Sequence, residues 1–143
     1  MKRAEAILFV ACAAIAAGSL GCTNGAPFTC DRSIEGNPPI RYTEGVALDG
    51  VYMSSPWEGE LLYFPGGMHY ALEHKLAKAP RWVTSYLSFD RDGTKTASVA
   101  QPTGNQVVIL DVNETTVTLA NDSCADYWLL VTAGSGAEPA PPP

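Results

Sequence analysis

Catalysis needs a proton acceptor, and this chain offers few. His69 and His74 are its only histidines. They stand five residues apart, so on one strand they face opposite ways and cannot share a metal without a bulge. His69 and Glu73 do share a face, with Ala71 between them, and a small hydrolase would have to be built from that pair. The sequence supplies neither a nucleophile nor a third ligand to accompany it. The expectation is therefore a solvated polar strand face, with His74 marking the strand end. Other combinations also fall short. Gly134-Ser135-Gly136 lacks the Gly-x-Ser-x-Gly spacing of a nucleophile elbow. Asp90-x-Asp92-Gly93 has the carboxylate spacing of a calcium loop, but in EF-hand register Val99 takes the place of the bidentate Glu. Glu58 and Glu60 lie two apart in one loop, whereas glycosidases draw their acids from separate elements. Asn113-Glu-Thr and Asn121-Asp-Ser match the glycosylation sequon and read as turn residues. These residues point to no catalysis, no metal and no cofactor.

Binding chemistry has a better footing, in the aromatic residues. Trp57, Tyr63, Trp82 and Tyr86 are the candidates for exposure, and Trp57, Trp82 and Tyr86 are the ligand-binding candidates. Alternation along residues 82–89 places Val83, Leu87 and Phe89 on one face with Ser85, and Trp82 and Tyr86 on the other with Thr84 and Ser88. If the aliphatic face is the core, the rings face solvent, a short loop or a partner. Exposed rings on a sheet can stack on a carbohydrate or anchor a protein.

Four cysteines carry the remaining chemistry. Lys2 and Arg3 form a basic start, Ile7 to Ala17 is an uninterrupted apolar run, and Gly18, Ser19 and Gly21 follow. This is the layout of an export signal over residues 1–21, and the run is shorter than the ~20 residues that span a bilayer. The segment ends Ser19-Leu20-Gly21-Cys22. It resembles the lipobox of bacterial lipoproteins, with Ser19 where Leu usually stands. That resemblance implies lipid on Cys22, a membrane as partner and a place in the bacterial cell envelope. Thr23 rather than Asp after the cysteine implies an outer membrane where one exists. The other reading is ordinary signal cleavage near Ala16 or Ala17, with Cys22 left unmodified. Cysteine parity favours lipidation: Cys12 leaves with the signal, and lipid on Cys22 leaves Cys30 and Cys124 as an even pair in an oxidising compartment. A Cys30–Cys124 disulfide is the expectation, since no Cys-x-x-Cys spacing supports zinc.

Charge removes whole classes of partner. The chain carries 9 basic and 15 acidic residues. Setting aside Lys2, Arg3 and Glu5 leaves 7 basic and 14 acidic. Phosphate backbones repel such a chain, so nucleic acid is not an expected partner. Charge-driven docking on an anionic leaflet is excluded on the same ground.

The elements that must position these residues are strands. Residues 22–39 read as lipid anchor and linker, residues 40–133 as one domain, and the Pro-rich residues 134–143 as a disordered tail. Within the domain, opening runs at 46–48 and 51–55 flank Asp49-Gly50. Runs at 60–64 and 68–74 flank Pro65-Gly66-Gly67, which reads as a hairpin. Residues 82–89 turn at Asp90–Gly93 into 94–100. Runs at 106–112 and 115–120 flank Asn113-Glu114. Residues 127–133 close the domain with both faces apolar, the pattern of a central strand. Residues 71–79 look helical only until Pro80. Seven to nine short strands at this spacing predict an all-β fold, a small antiparallel β-sandwich. His74-Lys75-Leu76 through Pro80, Trp82 and Val83, and the layout that follows to Ala133, resemble the β-sandwich modules of phage tail fibres and H-type lectins. The resemblance implies the fold and no ligand residue. The expected function is an extracytoplasmic binding module for a carbohydrate or an envelope protein, or alternatively a structural or assembly lipoprotein.

Overall fold

One strand organises the molecule, and it is the one with two apolar faces. The computed structural model describes residues 30–136. Nine strands make up its regular structure: β1 (Ile40–Tyr42), β2 (Val46–Leu48), β3 (Val51–Met53), β4 (Leu62–Phe64), β5 (His69–Glu73), β6 (Trp82–Ser88), β7 (Val108–Val112), β8 (Thr116–Ala120) and β9 (Tyr127–Gly134). A first sheet has the order β1-β5-β8-β7. In the second, β9 is central: β6 runs along one edge of it, and β3 and β4 share the other edge in tandem. The all-β sandwich expected from the spacing is the observed fold. Among the described residues no helix is long and apolar enough to cross a membrane.

The two sheets meet through Leu72, Val117 and Leu119 on one side and Tyr52, Phe64, Leu87, Leu129, Val131 and Ala133 on the other. Phe64 of β4 stacks on Tyr70 of β5 across this interface, with ring centroids 6.0 Å apart. Each aliphatic side chain taken fully out of water there contributes about 1.5–3 kcal/mol.

Two hairpins form where the turn residues called for them. Asp49 and Gly50 both adopt positive φ (52° and 79°), which the twist of a two-residue hairpin requires and which Asp-Gly accommodates. Between β7 and β8, the Asn113 side-chain oxygen accepts the backbone N–H groups of Thr115 and Thr116, each at 2.9 Å. A register shift between Ile109 and Asp111 puts a bulge in β7.

Elsewhere the chain departs from the sequence expectation. Residues 60–64 and 68–74 do not form a hairpin, because β4 belongs to the second sheet and β5 to the first. The glycines between them serve close approach instead. A Cβ on Gly66 would sit 2.7 Å from the Cys124 backbone, and one on Gly67 would sit 2.2 Å from the Asp31 carbonyl. Residues 94–100 are not a strand. Asp90 accepts the backbone N–H of Asp92 at 3.1 Å, and Asp92 holds the Lys95 ammonium at 2.6 Å. These local bonds compete with a ladder, and only Ala100 pairs across, with Leu87. Phe89 does not join the core face but is 83% exposed. β6 ends at Ser88, whose hydroxyl accepts the Asp90 N–H at 2.9 Å, and the alternation ends with it. β1 was not foreseen, and its pairing with β5 is parallel, unlike the rest of the sandwich.

The expected disulfide is present. Cys30 and Cys124 are bonded with their Cα atoms 5.5 Å apart. It ties the segment before β1 to the loop before β9, and Arg32 reinforces the tie by donating to the Asp122 carbonyl at 3.1 Å. The expected signal over residues 1–21, Cys22 and the expected linker as far as residue 29, and residues 137–143, lie outside the described residues.

Candidate functional site

The register of β6 on β9 settles which way the rings point. Val83, Ser85 and Leu87 pair with Ala133, Val131 and Leu129 and face the core. Trp82, Thr84, Tyr86 and Ser88 pair with Gly134, Thr132, Leu130 and Trp128 on the opposite, outer face. β4 adds Tyr63, which pairs with Trp128 at a centroid distance of 5.1 Å. β2 and β3 extend the face with Val46, Leu48, Val51 and Met53. Leu48 is 68% exposed and Tyr63 44%. Trp82 and Tyr86 are half-buried.

The rings hold one another in place. Trp57 comes from the loop between β3 and β4, where Gly59 N–H closes a turn onto the Pro56 carbonyl at 2.8 Å. The indole stands nearly perpendicular to the Tyr86 ring, at 88° and 5.4 Å, an edge-to-face contact that aromatic quadrupoles favour. Leu130 lies on the same outer face beside Tyr86 and is fully buried. Trp82 lies against Gly134, where a Cβ would come within 2.3 Å of the indole. Its indole Nε1 is buried without a hydrogen-bond partner among the described residues. The three ligand-binding candidates from the sequence thus belong to one surface, with direct ring contact between Trp57 and Tyr86.

Beside Trp57 the surface opens into a cleft of about 370 Å3, lined by Trp57, Glu58, Thr94 and Lys95. The Lys95 ammonium is tied to Asp92, and that hydrogen bond holds the lysine above its usual pKa and the aspartate below its own. On the other side of β6, a smaller groove of about 130 Å3 runs between Phe89, Tyr127, Gln101 and Gln106. At the far end of the aromatic face, Tyr63 donates to Asp126 at 3.0 Å, and this bond raises the phenol's pKa.

The histidines are placed otherwise. His69 and Glu73 share the outer face of the first sheet, as alternation requires, but they do not form a working pair. His69 is 3% exposed rather than on a solvated polar face. It sits where the disulfide-tied segment covers the end of β5, on the side of Asp31, whose carboxyl is held below its usual pKa chiefly by hydrogen bonds from Ser33. Glu73 is engaged by the Arg41 guanidinium. His74 follows the end of β5 and is fully buried. Its Nδ1 accepts the Leu76 N–H at 3.2 Å, so Nε2, 3.0 Å from the Asn113 carbonyl, carries the proton as donor. Both nitrogens are committed to the backbone. Among the described residues no three His, Cys, Asp or Glu side chains gather as a metal set.

Asn121 is more than a turn residue. Fully buried, it donates to the Phe64 and Ala125 carbonyls (3.0 and 2.8 Å) and accepts from the Ser123 N–H and hydroxyl (3.1 and 2.6 Å). It joins β4 to the loop that carries Cys124. Sequence reasoning also missed Thr94 and Lys95 as neighbours of Trp57, because the expected strand would have carried them elsewhere. Trp128 was visible as the outer alternation partner of Tyr127, but nothing local marked it as an aromatic neighbour of Tyr63. Compared with known proteins, the chain matches no family model, no curated protein and no solved structure.

Proposed function

We propose that the chain is a non-catalytic binding module of the bacterial cell envelope, held to a membrane by lipid on Cys22, that meets its partner through the outer face of the second sheet. One observation carries the binding reading. Trp57, Tyr63, Trp82, Tyr86 and Trp128 gather on the outer face of the second sheet, where Trp57 and Tyr63 stay 38% and 44% exposed. Buried aromatic anchors of this kind dominate protein and ligand interfaces. The lipidation reading rests on Leu20-Gly21-Cys22 and on the pairing of Cys30 with Cys124, which leaves Cys22 without a partner cysteine in the exported chain.

The test is capture from an envelope extract by the intact lipoprotein, with Trp57→Ala and Tyr63→Ala as the variants least coupled to folding. Capture should fall at least tenfold for one of them while the thermal midpoint stays within a few degrees. Unchanged capture for both, and for Trp82→Ala, overturns the binding surface. Intact-mass analysis of the membrane fraction addresses the anchor, and an unmodified Cys22 thiol in the mature protein would refute it. Dissociation on dilution separates a reversible binder from a structural subunit that stays assembled.

A further inference from the structure

The cleft beside Trp57 combines an apolar plate with opposite charges, and that combination selects a ligand class. Trp57 and Glu58 are the two central residues of the turn closed from Gly59 to Pro56, so the turn presents an indole and a carboxylate side by side. Across the cleft stand Thr94 and Lys95. Trp57 is 38% exposed and is braced by Tyr86, which leaves ring surface on the cleft side. The volume of about 370 Å3 lies in the usual range of small-molecule sites, ~300–1,000 Å3.

Charge narrows the choice. The Glu58 carboxylate has no ion pair or hydrogen bond among the described residues. The Lys95 ammonium gives one of its three donors to Asp92 at 2.6 Å and keeps the other two. An anionic ligand would meet the Glu58 carboxylate, with the only lining cation already engaged by Asp92. A cationic ligand would leave the two remaining Lys95 donors without an acceptor. A neutral group that both donates and accepts fits both walls, since a hydroxyl can donate to Glu58 and accept from Lys95. An indole plate adds the demand for an apolar face. A pyranose ring meets all of these, with C–H groups on one face and hydroxyls around its rim.

We infer that this cleft is a subsite for a neutral pyranose unit, stacked on Trp57 with its hydroxyls shared between Glu58 and Lys95. The inference rests on the binding reading above and gives that surface a ligand class. The unit can come from a free oligosaccharide or from a polysaccharide of the envelope, and the shared chemistry is the uncharged ring.

The full chain can be titrated by NMR, following the indole N–H signals of Trp57, Trp82 and Trp128, with Trp57→Phe assigning the first. The probes are neutral oligosaccharides of glucose, galactose, mannose and N-acetylglucosamine at millimolar concentration, with free arginine, tetramethylammonium and tyrosine as counter-probes. One oligosaccharide should shift the Trp57 signal saturably. Trp57→Ala should abolish that response. Glu58→Gln should weaken it roughly tenfold, the loss expected for one hydrogen bond to a charged group, without moving the thermal midpoint. Equal binding by the matching polysaccharide, at a lower concentration of chain ends, would place the source in a polymer. No shift with any oligosaccharide, shifts confined to Trp82 or Trp128, or tighter binding of a charged counter-probe overturns the subsite. The two readings fail differently. If capture depends on Tyr63 or Trp82 but no sugar moves Trp57, the binding surface stands and the pyranose subsite falls.

Discussion

The two sheets share one core and turn very different outer faces to their surroundings. Outside the first sheet lie Arg41, Ala71, Glu73, Thr116, Thr118 and Asp111, a polar and ion-paired surface that needs no cover. Its one buried stretch, at His69 and Ala120, is where the disulfide-tied segment lies over it. Outside the second sheet lie Tyr63, Trp82, Tyr86 and Trp128, with Leu130 fully buried among them. A sandwich needs only its inner faces to be apolar, so the core does not account for the second set of rings. The first face shows how this chain finishes a surface meant for water. The second departs from that pattern over most of its width, which is why it is read as a surface for a partner.

The largest effect should come from removing the link that covers part of the polar face. Paired Cys30→Ser and Cys124→Ser substitutions open a loop of sequence separation 94. In the chain-entropy model a loop of that length is worth up to ~4.7 kcal/mol, and long-loop values are often smaller in practice. Denaturant unfolding should show a loss of about 2–4 kcal/mol, and amides around His69 should exchange faster. An unchanged midpoint with His69 still protected would mean that the segment holds by its other contacts, such as Arg32 with Asp122.

Next in size is a paired substitution, one on each outer face. Leu130→Ala removes a fully buried side chain beside Tyr86 and should cost about 2–4 kcal/mol, since the braced rings around it limit collapse of the cavity. Thr118→Ala, at the centre of the polar face opposite Ala71, should stay within ~0.5 kcal/mol. Equal losses would erase the distinction between a packed aromatic layer and a solvated face.

Much of this contrast was legible in residues 82–89 and 127–133, where period-two alternation fixes faces whatever the topology. The turn pairs Asp49-Gly50 and Asn113-Glu114 were legible for a related reason: their backbone demands are local. Cysteine parity gave the disulfide. What failed was everything decided by distant partners. Pro65-Gly66-Gly67 has hairpin composition, yet its glycines answer to Cys124 and Asp31, far away in sequence. Thr94 to Ala100 has strand composition, but the side chains of Asp90 and Asp92 capture nearby donors first. His69 looks solvated by alternation and is covered by a segment beginning at Cys30. Trp57 was a candidate from its type alone, while its neighbours Thr94 and Lys95 depended on the misread strand.

A pH experiment tests the tyrosines buried between the sheets. Burial raises the phenol pKa of Tyr52, Tyr42 and Tyr70. A folded pKa above the unfolded one means that the native state keeps protons the unfolded chain releases. The stabilisation is complete below the unfolded value near 10 and is lost as pH rises through the folded values. Stability should therefore fall above pH ~10, by up to ~1.4 kcal/mol per pH unit for each such tyrosine. Tyr52→Phe should make this fall shallower. At neutral pH it should cost little, because the Tyr52 hydroxyl is buried without a partner among the described residues. An alkaline profile identical to that of the unsubstituted protein would place the titrating phenols elsewhere.

The smallest effect should come from the ion pair at the β1 edge of the polar face. Arg41 and Glu73 are paired across β1 and β5, and the Arg41 side chain is 72% exposed while that of Glu73 is 24% exposed. Water and salt screen such a pair, and ordering two long side chains costs entropy, so exposed pairs are typically worth ~0–1 kcal/mol. Arg41→Ala should thus change stability by less than ~1 kcal/mol, with part of even that coming from the lost aliphatic stem rather than the charge. Glu73→Gln keeps the shape and tests the charge alone, and a high-salt measurement on the unsubstituted protein should show the same small change. Neither variant should alter partner capture. If Glu73→Gln instead weakened capture as strongly as Trp57→Ala, the polar face would have to be counted as a binding surface too, and the contrast between the two sheets would no longer locate the site.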